Sequence, residues 1–114
     1  MTAPRRGEVW IVDLDPTAGH EQAGRRPALV LSVDAFNASH AELVTVLPIT
    51  SVPRPRIPTR VEIRPPEGGL KRASYVIGEQ TRTISTDRLR NRLGAVKPAT
   101  LDKVADVVRV ILGL

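Results

Sequence analysis

Eight residues of this sequence carry side chains that can move a proton or hold an oxyanion. They are His20, Glu21, Gln22, Arg26, Thr50, Glu79, Gln80 and Arg82. All of them fall in one polar loop or at the ends of expected strands. Metal-free cleavage of RNA uses such a set. A base takes the proton of the ribose 2′-OH, an acid protonates the leaving 5′-oxygen, and donors stabilise charge on a phosphorane-like transition state. Arg26 follows Arg25 in Gly24-Arg25-Arg26-Pro27, at the mouth of an apolar run. A guanidinium held there suits a phosphate, because its fork matches the oxygens and it stays charged.

Each residue also has a reading without chemistry. A loop histidine is ordinarily solvated, as His40 is expected to be. Glu21 can pair with Arg25. Thr50 and Ser51 can satisfy backbone groups at a strand end. Glu79 and Arg82 can form a surface pair, which contributes little. Spacing alone does not decide whether the eight meet.

The elements that must position them follow from hydrophobic patterning. Glu8–Leu14 alternates and is expected to form a first strand, with Trp10, Val12 and Leu14 on one face. The stretch 15–25 reads as a loop by its proline and two glycines. It is long for a hairpin connection, as functional loops often are. Ala28–Leu31 reads as a strand buried on both faces. A helical turn is expected at 34–37 and a third strand at Leu43–Leu47, with Pro48 at an edge or bulge because it cannot donate to a ladder. Residues 52–58 hold three prolines with Arg54 and Arg56, a stiff cationic loop. Strands follow at Arg60–Arg64 and Ala73–Gly78, then a short helix at Ser85–Leu89 and a last strand at Arg92–Val96.

Pro98 opens the long helix and Gly113 stops it. Leu101, Val104, Ala105, Val108, Ile111 and Leu112 share one face, and Val107 and Val110 widen it toward contact outside the chain. The 114 residues are expected to form one domain, 1–114, mainly β with a C-terminal helix: a small antiparallel barrel or sheet carrying the helix.

The bulk numbers narrow the partner. Net charge is +5, with 14 Arg against 3 Lys, which fits a polyanion or an Arg-rich genome equally. Trp10, Phe36 and Tyr75 are the only aromatics, too few for a broad base-stacking platform. Without cysteine there is no disulfide or thiolate metal site, and His20 and His40 lack metal-ligand spacing. No metal or cofactor is expected. Neither a signal peptide nor a membrane span is legible, so a soluble cytoplasmic protein is expected.

The run 15–32, DPTAGHEQAGRRPALVLS, resembles the signature of the MazF/PemK toxin family. Gly7-Glu8-Val9-Trp10 resembles its opening strand, Pro48-Ile49-Thr50-Ser51 its second motif, and Glu79-Gln80-Thr81-Arg82-Thr83-Ile84 its third. The resemblance implies an SH3-like barrel of the CcdB/PemK type and a homodimer. It also implies cleavage of single-stranded RNA without metal, and control by a cognate acidic antitoxin. By the same resemblance Arg26 and Thr50 act at the scissile phosphate, His20 stabilises charge, Glu21 is an important acid, and Glu79 is the general base. Gln22 and Gln80 can read base edges. Arg25, Ser51, Arg54, Arg56 and Arg82 are further candidates for RNA contact. Where the PemK-like branch has an arginine as general acid, this chain has Ile77, which leaves the proton donor to Arg26 or His20. Two rivals are a CcdB-like poison of a protein target such as gyrase, and an RNA-binding barrel without catalysis.

Overall fold

The structure, a computed structural model, describes residues 2–114. Seven strands form one antiparallel sheet: β1 (Glu8–Asp13), β2 (Arg25–Val30), β3 (Leu43–Thr50), β4 (Arg60–Ile63), β5 (Ser74–Ile77), β6 (Arg82–Ser85) and β7 (Leu89–Ala95). Two helices, α1 (Asp34–Asn37) and α2 (Pro98–Leu112), complete it. The strand order is β4-β5-β3-β2-β1-β7, with β6 paired to the first half of β3. The sheet coils without closing.

Strand alternation feeds two cores. Val9, Leu29, Leu47 and Ile49 pack on one face, with Val61, Ile63 and Val76, beneath Val104 and Val108 of α2. Trp10, Val12, Ala28, Val30, Val44 and Val46 fill the other face with Ile84 and Leu89. β2 is thus buried on both faces, as its apolar run implies. α2 contains four valines and an isoleucine, β-branched residues that favour the helix weakly. Docking holds it, since each fully buried apolar side chain contributes roughly 1.5–3 kcal/mol. Pro98 stands in its first turn and Gly113 ends it at a φ of 71°.

Several boundaries differ from the sequence expectation. β2 begins at Arg25, so both arginines belong to a strand and not to the loop before it. Asp13 stands opposite Arg25 and Val12 opposite Arg26, and an opposite-charge cross-strand pair favours that extension. β7 begins at Leu89, immediately after a 3₁₀ turn at Thr86–Arg88 capped by Ser85, whose Oγ accepts from the Asp87 N–H. Ile111 and Leu112 are exposed at 43% and 57%, so the apolar face of α2 reaches past the sheet it covers.

Pro48 lies inside β3, not at an edge. β6 pairs with β3 only as far as Val46, and β5 takes over at Ile49. Pro48 therefore falls where the neighbour on that side changes.

Candidate active site

Ala28 pairs with Pro48 across β2 and β3. Carried two residues further, that register sets Arg26 opposite Thr50. Residues two apart share a face, so Arg26 continues the row of Ala28 and Val30 on β2, and Thr50 that of Val46 and Pro48 on β3. Together they line two adjoining clefts. One, of 340 Å³, is bounded by Ala23, Arg25, Arg26, Pro27, Ile49, Thr50, Ser51 and Ser74. The other, of 210 Å³, is bounded by Gln22, Arg26, Thr50, Val52, Arg54 and Arg60. Among the described residues four arginines thus line the pair and no carboxylate does.

Thr50 is 5% exposed, and its Oγ1 accepts a hydrogen bond from the Val52 N–H at 3.2 Å. Its own hydroxyl hydrogen has no protein acceptor among the described residues and is left to donate. Arg26 is fixed at one edge, where Nε donates to the Ala23 carbonyl at 2.7 Å. It pairs with no carboxylate among the described residues, so the terminal nitrogens keep their full charge for an anion.

The loop that carries His20, Glu21 and Gln22 is tied down from the 78–81 turn, from β6 and at its own base. The Gln80 amide accepts from the Gln22 N–H at 2.9 Å and donates to the His20 carbonyl at 3.2 Å. Arg82 Nη1 donates to the Leu14 carbonyl at 3.0 Å. Asp15 Oδ1 accepts from the Gly24 N–H at 3.0 Å, closing the loop at its base. Gln80 and Arg82, expected at the RNA, hold the segment that frames the clefts and line neither of them.

None of the acid–base candidates His20, Glu21 and Glu79 lines either cleft. The His20 side chain lines neither cleft, and the residue is exposed. Glu21 Oε1 accepts from the Ala18 N–H at 3.1 Å, within its own loop, and does not pair with Arg25. Arg56 is exposed and lines neither cleft. Glu79 also lines neither. Its Oε2 accepts from Arg60 Nη2 at 2.9 Å and Nε at 3.0 Å, and its Oε1 from Thr59 Oγ1 at 2.7 Å. Burial pushes this carboxyl up, but the bonds from Arg60 and Thr59 outweigh it and hold Glu79 below the ordinary range. A carboxylate so engaged is a weaker base and a firmer anchor.

Arg60, which reads from sequence only as part of a half-exposed strand, is the partner that Glu79 holds and a lining residue of the smaller cleft. It stands across from Ile77, which is fully buried. A third cavity of 410 Å³ adjoins on the same side, bounded by Arg54, Arg60, Glu62, Tyr75 and the prolines of the 53–58 loop. Neither Arg60 nor Tyr75 has a local sequence signal. Their place depends on the β4–β5 register.

The chain has relatives across nearly its full length. It is 38% identical to Endoribonuclease MazF9 of Mycobacterium tuberculosis, covering 96% of this chain and 97% of that protein. It is 33% identical to Endoribonuclease EndoA of Bacillus subtilis, covering 96% and 95%. Among solved structures, MazF from Deinococcus radiodurans is similar at a TM-score of 0.86 and 30% identity, covering 98% of each chain. An endoribonuclease from a mycobacterial species in complex with its cognate antitoxin is similar at a TM-score of 0.78 and 32% identity, covering 100% of this chain and 97% of that one. Residues 5–112 match the family described as the PemK-like, MazF-like toxin of type II toxin–antitoxin systems, and the chain belongs to that family.

Proposed function

We propose that this chain, as one toxin domain spanning 1–114, is a sequence-selective, metal-independent endoribonuclease that cuts single-stranded RNA. The observation that carries this is the pair of arginine-lined clefts sharing Arg26 and Thr50. Relatives at 33–38% identity that bear the name endoribonuclease support it.

In this reaction the ribose 2′-oxygen attacks the adjacent phosphorus, and the P–O5′ bond breaks. The 2′-OH proton passes to a base and the 5′-oxygen gains a proton. The products are a 2′,3′-cyclic phosphate and a 5′-hydroxyl. Negative charge grows on the non-bridging oxygens during attack. Arg26 and the Thr50 hydroxyl donate to those oxygens, and fixed donors of this kind act most strongly where charge develops. Arg25, Ser51 and Arg54 extend the cationic track along the backbone, and Gln22 faces a base. His20, outside both clefts in the loop that Gln80 holds, is left with Arg26 as the candidate to protonate the 5′-oxygen once RNA spans the loop. Glu79 serves by orienting Arg60.

The toxin acts in the cytoplasm as a homodimer, and no helix among the described residues is long and apolar enough to cross a membrane. An acidic antitoxin segment silences it by taking the place of RNA on the same arginines, since a disordered acidic tail matches the charge pattern of a nucleic acid. The relative solved with its cognate antitoxin supports this pairing.

Purified protein incubated with a mixed RNA pool in EDTA tests the proposal. Cuts at a short recurring sequence, ending in a 2′,3′-cyclic phosphate, are expected. Uncut RNA overturns it and returns the CcdB-like, non-enzymatic alternative.

A further inference from the structure

We infer that Arg60 is a second catalytic guanidinium, which binds the scissile phosphate beside Arg26 and is aimed there by Glu79. The inference rests on the endoribonuclease reading above and adds a residue to its chemistry.

Three observations converge. Arg60 lines the same cleft as Arg26, Thr50 and Arg54. Its side chain is only 11% exposed, far more enclosed than a lysine or arginine on an open sheet face. Its Nε and Nη2 are taken by Glu79, while Nη1 has no protein acceptor among the described residues. A guanidinium gripped along one edge and unclaimed at the other is pre-organised, because its plane and position are set before an anion arrives.

The bland alternative is an ion pair that pins β4 to the turn after β5. That purpose does not need the arginine to sit among two others. Three arginines lining one cleft with no carboxylate concentrate positive potential there, which draws an anion in. The Glu79 carboxylate lies outside that lining and so compensates Arg60 without filling the anion's place.

In the reaction Arg60 remains protonated. It donates to a non-bridging oxygen as the 2′-oxygen attacks and the P–O5′ bond breaks, and takes no part in either proton transfer. Glu79 is then a positioning residue, acting through Arg60.

The test is single-turnover cleavage of a short RNA that the wild type cuts. Binding is measured in parallel on the same RNA carrying a 2′-deoxy group at the cut site. Arg60→Ala is expected to slow cleavage by ~10²–10³-fold, with affinity for the deoxy analogue changed less than about tenfold, and added guanidinium is expected to restore part of the rate. Arg60→Lys is expected to stay well below wild type, because an ammonium cannot bind Glu79 bidentately and still reach a phosphate. Arg60→Ala/Glu79→Ala is expected to be as slow as Arg60→Ala. Wild-type cleavage by Arg60→Lys overturns the inference, as does recovery in the double variant, which reduces Arg60 to a neutraliser of Glu79. A loss confined to binding also overturns it. If Arg60→Ala unfolds on heating below the assay temperature, Arg60→Lys decides. Wild-type protein that cuts no RNA defeats the enzyme reading itself, whereas an inactive Arg26→Ala beside a fully active Arg60→Lys defeats this inference alone.

Discussion

Arg26 and Thr50 stand at one level of neighbouring strands, two residues beyond the Ala28–Pro48 pair, and bound the same two clefts. Their side chains share the face of Ala28 and Val30 on β2 and of Val46 on β3, so the packing of that core on both strands sets where the two donors point. Arg26→Ala and Thr50→Ala are each expected to slow cleavage by ~10²–10³-fold with the fold retained. Because both act on one phosphate, the double variant should be less impaired than the product of the two losses. Single-turnover rates, with melting curves as the control, check this.

Gln80 is expected to control loop order more than base choice. Its amide meets both the Gln22 N–H and the His20 carbonyl. Gln80→Ala removes two hydrogen bonds, each with a net contribution of ~0.5–1.5 kcal/mol, so exchange of the Gln22 amide should accelerate by about tenfold or more. Gln80→Glu keeps the acceptor and loses the donor, and should fall between. Amide hydrogen exchange followed residue by residue distinguishes the three proteins.

The acid side of the stability curve should carry the mark of Glu79. Its carboxyl is held below the ordinary value of 4.5, with burial opposing and the bonds from Arg60 and Thr59 prevailing. A lowered folded-state value means that the contribution is fully present above the unfolded value and is lost as pH falls through the folded one. Glu8 shifts the same way: burial raises it, but the Arg5 N–H, the Trp10 indole and Arg92 prevail. Stability should therefore hold from neutral pH to about 5 and fall below ~4. Glu79→Gln should be less stable at neutral pH and show a shallower acid limb, as thermal melts between those limits will report.

Gly78 has no room for a side chain. A Cβ there would lie 2.4 Å from the Thr59 carbonyl oxygen and 2.6 Å from a Val107 methyl group. The methyl can yield but the backbone oxygen cannot, since the Gly78 N–H bonds to it at 3.1 Å. Gly78→Ala should cost ~1–3 kcal/mol in urea unfolding, the usual range for overpacking. It should also lower activity, because Thr59 and Arg60 would shift together.

RNA affinity should fall steeply with salt. Each phosphate neutralised on a single strand contributes a slope of about −0.7 in log K against log salt. Arg54→Ala, which removes one cation from the cleft lining, should flatten the slope by roughly that amount. Titrations of the 2′-deoxy RNA analogue at several salt concentrations measure it.

Much of this architecture is legible in the sequence because its causes are local. The alternation of Glu8–Leu14, the apolar run after Pro27, and the Pro98 and Gly113 boundaries announce β1, β2 and α2 directly. The turn at 34–37 is legible for the same reason. Arg25 and Arg26 look like loop residues until Asp13 and Val12 are known to face them. The Arg60–Glu79 pair spans 19 positions and depends on two strands meeting in one register, with a close approach at Gly78, so no local pattern signals it. Gln80 and Arg82 are polar near a site, which suggests a ligand. Their partners are backbone groups of a distant loop, and backbone groups leave no trace in a residue code.

Pro48 has a consequence beyond its own strand. A residue without an amide hydrogen cannot be bridged from that flank, so the sheet forks there into β5 and β6. The chain that crosses the crotch of the fork is 78–81, and from it Gln80 reaches over to grip the loop beside Arg26. One imino acid in the middle of β3 thus opens the seam through which the roof of the clefts is fastened.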